Sequence, residues 1–116
     1  MMPDNIKVLG QSKPSGATLT DLYTVPSGSG AKAVGTVCST VAVCNQSAAV
    51  SAKFRIAIAV AGAGDDVKQY IYYDEKVFAG KTFMATVGVT MGQTDVLRVQ
   101  SDTGTVSFTA FGAEKL

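Results

Sequence analysis

Histidine is absent from the 116 residues of this chain, and with it the side chain that most often moves protons near neutral pH. A nucleophilic serine or cysteine would need another base, and neither thiol has a lysine or aspartate at a predictable hydrogen-bonding spacing. Charge is scarce too: Asp, Glu, Lys and Arg make up 16% of the residues against 47% hydrophobic ones, and the formal net charge is +1. Lys53, Arg55 and Lys68 are too sparse to form the basic face that phosphate binding needs, so no nucleic acid partner is expected. No apolar run approaches the ~18–20 residues that span a bilayer, so no membrane partner is expected either. Residues 1–11 have neither the charged start nor the long apolar stretch of a secretion signal, which points to a product made in the cytoplasm.

Cysteine is nearly absent. Cys38 and Cys44 fall in one strand-like run, residues 34–45. Six residues of extended chain at ~3.3 Å each hold them roughly 20 Å apart, far outside the ~4.4–6.8 Å that a disulfide allows between Cα atoms. The even spacing places both on one strand face with Thr36, Thr40 and Ala42, as small, buried, free thiols. Two cysteines without histidine leave half of a tetrahedral zinc site empty. Asp65, Asp66, Asp74 and Glu75 match no calcium-loop spacing. The glycines at 28–30 and 62–64 open no helix and precede no Lys-Ser/Thr pair, so they read as turn glycines and not as phosphate loops. The chain is therefore read as non-enzymatic, with no catalytic residue, no metal and no cofactor.

What the chain has in abundance is alternation of apolar and polar residues. It runs through eight segments, 6–11, 19–25, 34–45, 52–60, 67–73, 83–91, 96–101 and 105–112, separated by Gly, Ser, Asp or Pro clusters. In the clearest of them Phe54, Ile56, Ile58 and Val60 point one way, and Lys53, Arg55, Ala57 and Ala59 the other. Val37, Val41 and Val43 make an apolar face of the longest segment. Phe83, Ala85, Val87, Val89 and Met91 face the core in one strand, with Thr82, Thr86 and Thr90 outward. Leu19, Asp21, Tyr23 and Val25 lie opposite Leu22 and Thr24, and residues 102–104 read as a short hairpin connection.

The expected fold is all-β, a single antiparallel β-sandwich of about eight strands, jelly-roll-like, although alternation alone leaves a closed barrel open. Residues 1–16 form an arm and first strand, and residues 17–116 the sandwich. Apart from Lys53, Arg55, Lys68 and Pro14 the sheet edges look undefended, which predicts edges covered in a homo-oligomer. Two groups are candidate partner-binding residues. Ile6, Val8 and Leu9 sit in the arm, where they suit strand addition to a neighbour. Tyr70 and Tyr72 share a face of the segment whose other face holds Gln69, Ile71 and Tyr73, and tyrosines displayed outward make a contact surface. The plainer reading is that one face of this strand is core and the other packs across strands.

Six segments in order, LYTVP at 22–26, VAVCN at 41–45, FRIA at 54–57, YIYYD at 70–74, DVLRV at 95–99 and FTAFG at 108–112, resemble a family of small structural proteins of tailed bacteriophages. The resemblance covers nearly the whole chain from about residue 6. It implies a β-sandwich component of the virion, made in the host cytoplasm, and first of all a capsid decoration or cement protein that stabilises the head at capsomer junctions. Its partners would be itself, as a trimer or dimer, and other virion proteins such as the major capsid protein. The resemblance brings no catalytic residue with it. A tail, neck or fibre-associated component is the second structural reading. From another class comes a carbohydrate-binding β-sandwich module displaying its tyrosines.

Overall fold

The computed structural model of the chain describes residues 5–27 and 35–115, so the 28–30 glycine loop and the first four residues of the arm lie outside the described residues. The alternating segments become nine strands: β1 (Asn5–Ser12), β2 (Thr20–Thr24), β3 (Gly35–Asn45), β4 (Ala52–Ala59), β5 (Tyr70–Val77), β6 (Thr82–Ala85), β7 (Val89–Gly92), β8 (Val96–Ser101) and β9 (Val106–Lys115). Antiparallel pairing is nested, β1 with β9, β2 with β8, β3 with β6 and β7, and β4 with β5. It amounts to one long hairpin, rolled up so that β9 also pairs with β3, and β8 with β4. The result is a first sheet in the order β1-β9-β3, with β6 and β7 in line along the free side of β3, and a second sheet in the order β2-β8-β4-β5. That is the strand order of a jelly roll. The two sheets stay separate among the described residues, a sandwich and not a closed barrel. Among the described residues the helical pieces are two 3-10 turns, Val60–Gly62 and Val67–Gln69, and no helix is long and apolar enough to cross a membrane.

The core lies where the inner faces interdigitate. Val41, Val43, Val106, Phe108 and Ala110 of the first sheet meet Phe54, Ile56, Leu97 and Val99 of the second, all fully buried. Phe54 is the hub, with ring centroids 5.3 Å from Phe83, 5.9 Å from Tyr72 and 6.3 Å from Phe108. These rings join both sheets, and tilted and edge-on contacts of this kind stabilise beyond their area burial.

Departures from the alternation concentrate at bulges, where one extra residue reverses which side chains face inward. In β3 the register against β9 shifts between Cys38 and Thr40. Val41 and Val43 face the core as expected, but ahead of the bulge Thr36 and Cys38 do so and Val37 points outward. The two cysteines therefore lie on opposite faces, Cys38 buried and Cys44 half-buried on the outside, both free. In β2 a bulge at Leu22 lets Leu22 and Tyr23 both turn inward, and Asp21 is exposed. Segment 83–91 keeps its expected faces yet breaks into β6 and β7. Gly88 at the break takes φ 57° and donates its N–H to the carbonyl of Ser39, the bulged residue of β3.

The second sheet departs in three further ways. Ala57 and Ala59 are buried although they sit on its outer side, because the turn after β4 folds back and Arg98 donates to the carbonyls of Ala63 and Gly62; Val60 has left the strand and is exposed. Segment 67–73 opens as a 3-10 turn capped by Asp66, and β5 begins only at Tyr70. Residues 102–104 join strands of different sheets, so this Gly-containing connection crosses the sandwich and closes no hairpin. Lys53 and Arg55 guard no edge, since β4 lies inside its sheet.

Replacing the aromatic hub, Phe54→Ala, is expected to lower the unfolding free energy by about 3–5 kcal/mol, read as an earlier denaturant midpoint at an unchanged slope.

Candidate functional site

The sandwich exposes two outer faces of different chemistry. On the second sheet Lys53, Arg55, Arg98 and Gln100 alternate with the inward residues and meet Asp21, Asp74 and Lys76 on neighbouring strands. Arg55 grips Asp74 with two hydrogen bonds, 2.7 and 3.3 Å, and Arg98 donates to Asp21 at 2.9 Å. The bonds from Arg55 hold the Asp74 carboxyl below its ordinary pKa. This is an ordinary solvated sheet face.

The first sheet differs. Register places Ile6, Val8 and Gln11 of β1 beside Ala113, Phe111 and Thr109 of β9 on its outer side. Val37, Thr40, Ala42 and Cys44 of β3 continue that side, with Thr82, Met84 and Thr90 beyond. Among the described residues of this face the one charged side chain is Lys115, at the end of β9. Ile6 is 83% exposed, Met84 55% and Val8 52%. Apolar side chains at these levels normally occur singly on a soluble surface; gathered on one face they mark a site of association.

Within this face lies a groove of about 550 Å³ lined by Ile6, Lys7, Val8, Val37, Ser39, Phe111, Gly112 and Ala113, with the Lys7 ammonium paired to Glu114. The Ser39 bulge makes it, because only the reversed register ahead of that residue turns Val37 outward. Gly112 is required on the inner side of the same place, where a Cβ would overlap the carbonyl of Val37.

Beneath the groove a buried polar cluster fastens both ends of the described chain. Tyr23 donates to Glu114 at 2.7 Å and lies 2.8 Å from the Thr36 hydroxyl. Glu114 also accepts from Asn5 and pairs with Lys7 at 3.8 Å. Burial first, and then its bond to Glu114, push the Tyr23 hydroxyl up to about 12.

The residues singled out from sequence are not brought together. Ile6 and Val8 stand on the rim of the groove, whereas Leu9 is the bulged residue of β1 and packs toward the core. Far from being a free arm, β1 pairs with β9 along its length. Tyr70 and Tyr72 lie on opposite faces, because one of the two bulges of β5 against β4 falls between them, at Ile71. Tyr72 packs inside on Phe54 and Phe83. Tyr70 stays outside, edge-on to Tyr73 at 5.3 Å and donating to Asp65 at 2.7 Å. The Arg55 guanidinium covers the Tyr73 ring at 4.0 Å, occupying a ring face on which a sugar would stack. Asp65, Asp66 and Asp74 are thus engaged separately, by Tyr70, by the 3-10 turn and by Arg55. Val37, Phe111 and Ala113 escaped the sequence reading, since an unseen bulge turned Val37 around and nothing marks Phe111 as outward except the glycine beside it.

Comparison with protein-family models, with curated proteins and with solved structures gave no match.

Three outcomes are expected. Tyr23→Phe leaves the Glu114 carboxylate without its shortest donor and costs about 1–3 kcal/mol, measured by urea unfolding. At neutral pH a thiol reagent labels Cys44 in the folded protein and Cys38 only on unfolding, because burial raises the Cys38 pKa from 9.0 to about 11. That shift favours the folded state fully below pH 9 and is lost as pH rises through about 11, so alkaline titration should lower the melting temperature across this window.

Proposed function

We propose that this chain is a structural protein of a tailed-phage virion, acting first as a decoration or cement protein of the head. The observation that carries the reading is the contrast between the two outer faces: one is charged and ion-paired, the other, among the described residues, has Lys115 at its end and a mostly apolar groove where Lys7 is paired with Glu114. A chain built this way keeps one side in solvent and has the other covered inside an assembly. The ordered resemblance over nearly the whole chain supplies the kind of assembly, with the virion as location and other virion proteins, the major capsid protein among them, as partners.

The jelly-roll frame suits the role mechanically. Its first and last described strands are adjacent and ion-paired through Lys7 and Glu114, so tension along the chain meets a hydrogen-bonded ladder before it meets a loop. Exposed apolar side chains also gather at the two ends of the sandwich, Val50 and Phe78 at one and Val60 and Val67 at the other, where contact with capsomers can bury them. Each such contact contributes ~25 cal/mol per Å² of apolar area before association costs.

Heads of the parent phage assembled without this protein provide the test. Purified chain is expected to co-sediment with them and to raise the temperature at which they release DNA. Co-sedimentation with tails alone would move the protein to the tail or neck, and binding to neither would contradict the virion reading.

A further inference from the structure

We infer that the outer face of the first sheet is covered by the same face of a second copy of the chain, the two related by a twofold axis. The inference rests on the association reading above and names the partner that covers this face. Charge is the first argument. In a twofold contact each surface meets its own chemistry, so any charge near the axis faces its like. The second sheet would set Lys53, Arg55 and Lys76 against their own copies; on the first sheet Lys115 lies at the end of the outer face, and Lys7, which lines the groove, is paired with Glu114. Of the two sheet faces, only the first can meet itself without like-charge repulsion across its centre.

Area is the second argument. β9 and β3 are 10 and 11 residues long, and four strand positions ~4.8 Å apart, with ~3.3 Å per residue along them, give a face of roughly 600 Å². Two such faces bury on the order of 1,200 Å², the lower bound for a stable specific interface. The whole face must therefore be used, and it has the relief for it: exposed Ile6 and Val8 stand beside the groove floored by Val37 and Phe111, so the ridge of one copy seats in the groove of the other.

The edges supply the third argument, because they oppose the alternative of edge-to-edge strand addition. β1 is bulged at Leu9, β2 at Leu22 and β5 twice, and the fourth edge is broken between β6 and β7. Interrupted edges of this kind are how sheets resist adding further strands. The exposed apolar groups of the first sheet project from its face, not its rim.

Light scattering of the purified chain tests the pairing. The expected result is a dimer mass that halves in the double variant Ile6→Asp, Val8→Asp, and persists in Val67→Asp, a side chain equally exposed but remote from the face. Met84→Lys, at the far strand of the same face, carries the same expectation of a halved mass and serves if the double variant loses its circular dichroism. A monomer, a trimer, or a dimer indifferent to these face charges overturns the inference. Co-sedimentation of the same preparations with heads separates the two claims. A monomeric wild type that binds heads overturns the pairing and leaves the virion reading standing; a dimer that binds neither heads nor tails does the reverse.

Discussion

One extra residue in β3 governs this molecule. The bulge at Ser39 reverses the facing of the strand ahead of it, so that Thr36 and Cys38 enter the core and Val37 leaves it. Everything around that point is fitted to the reversal. Gly112 leaves room beside the kinked carbonyl of Val37, and Gly88 reaches the Ser39 carbonyl across the break between β6 and β7. The inward Thr36 completes the Tyr23 and Glu114 cluster, and the outward Val37 floors the groove. A regular strand would have put Val37 inside with Val41 and Val43, at the cost of the apolar surface on which the association reading stands.

The same bulge connects stability to function. The buried hydrogen bonds of Glu114 tie β1, β2 and β9 together directly beneath the face proposed to associate. That arrangement makes the face rigid before any partner arrives, and rigidity reduces the ordering cost that binding must otherwise overcome. The charged second sheet needs no such support, since Arg55 and Arg98 satisfy their acids at the surface, where such pairs contribute little.

The sandwich was legible because most strands obey a period of two. Residues 52–56 and 83–91 assign their own core faces, and the turn glycines Gly62 and Gly64 fall between β4 and β5. What stayed hidden is what has no compulsory residue type. Leu9, Leu22 and Ser39 look ordinary, yet each is a bulge that reverses the facing of its neighbours. The Asp102 turn has the chemistry of a hairpin, but turn chemistry does not reveal that the following strand joins the other sheet. Tyr70 and Tyr72 are two residues apart and would share a face in any regular strand; a bulge at Ile71 separates them. The candidate site was therefore only half visible: Ile6 and Val8 could be named from their apolar character in a polar stretch, while Val37 and Phe111 needed the register.

The most direct measurement is hydroxyl-radical footprinting at two protein concentrations. Met84 and Tyr73 are matched probes, 55% and 58% exposed on the outer faces of the first and second sheets. If the uncharged face is the one covered, oxidation of Met84 and Phe111 falls as concentration rises while that of Tyr73 stays constant. Protection of Tyr73 with Met84 unchanged, or no protection of either, would contradict it.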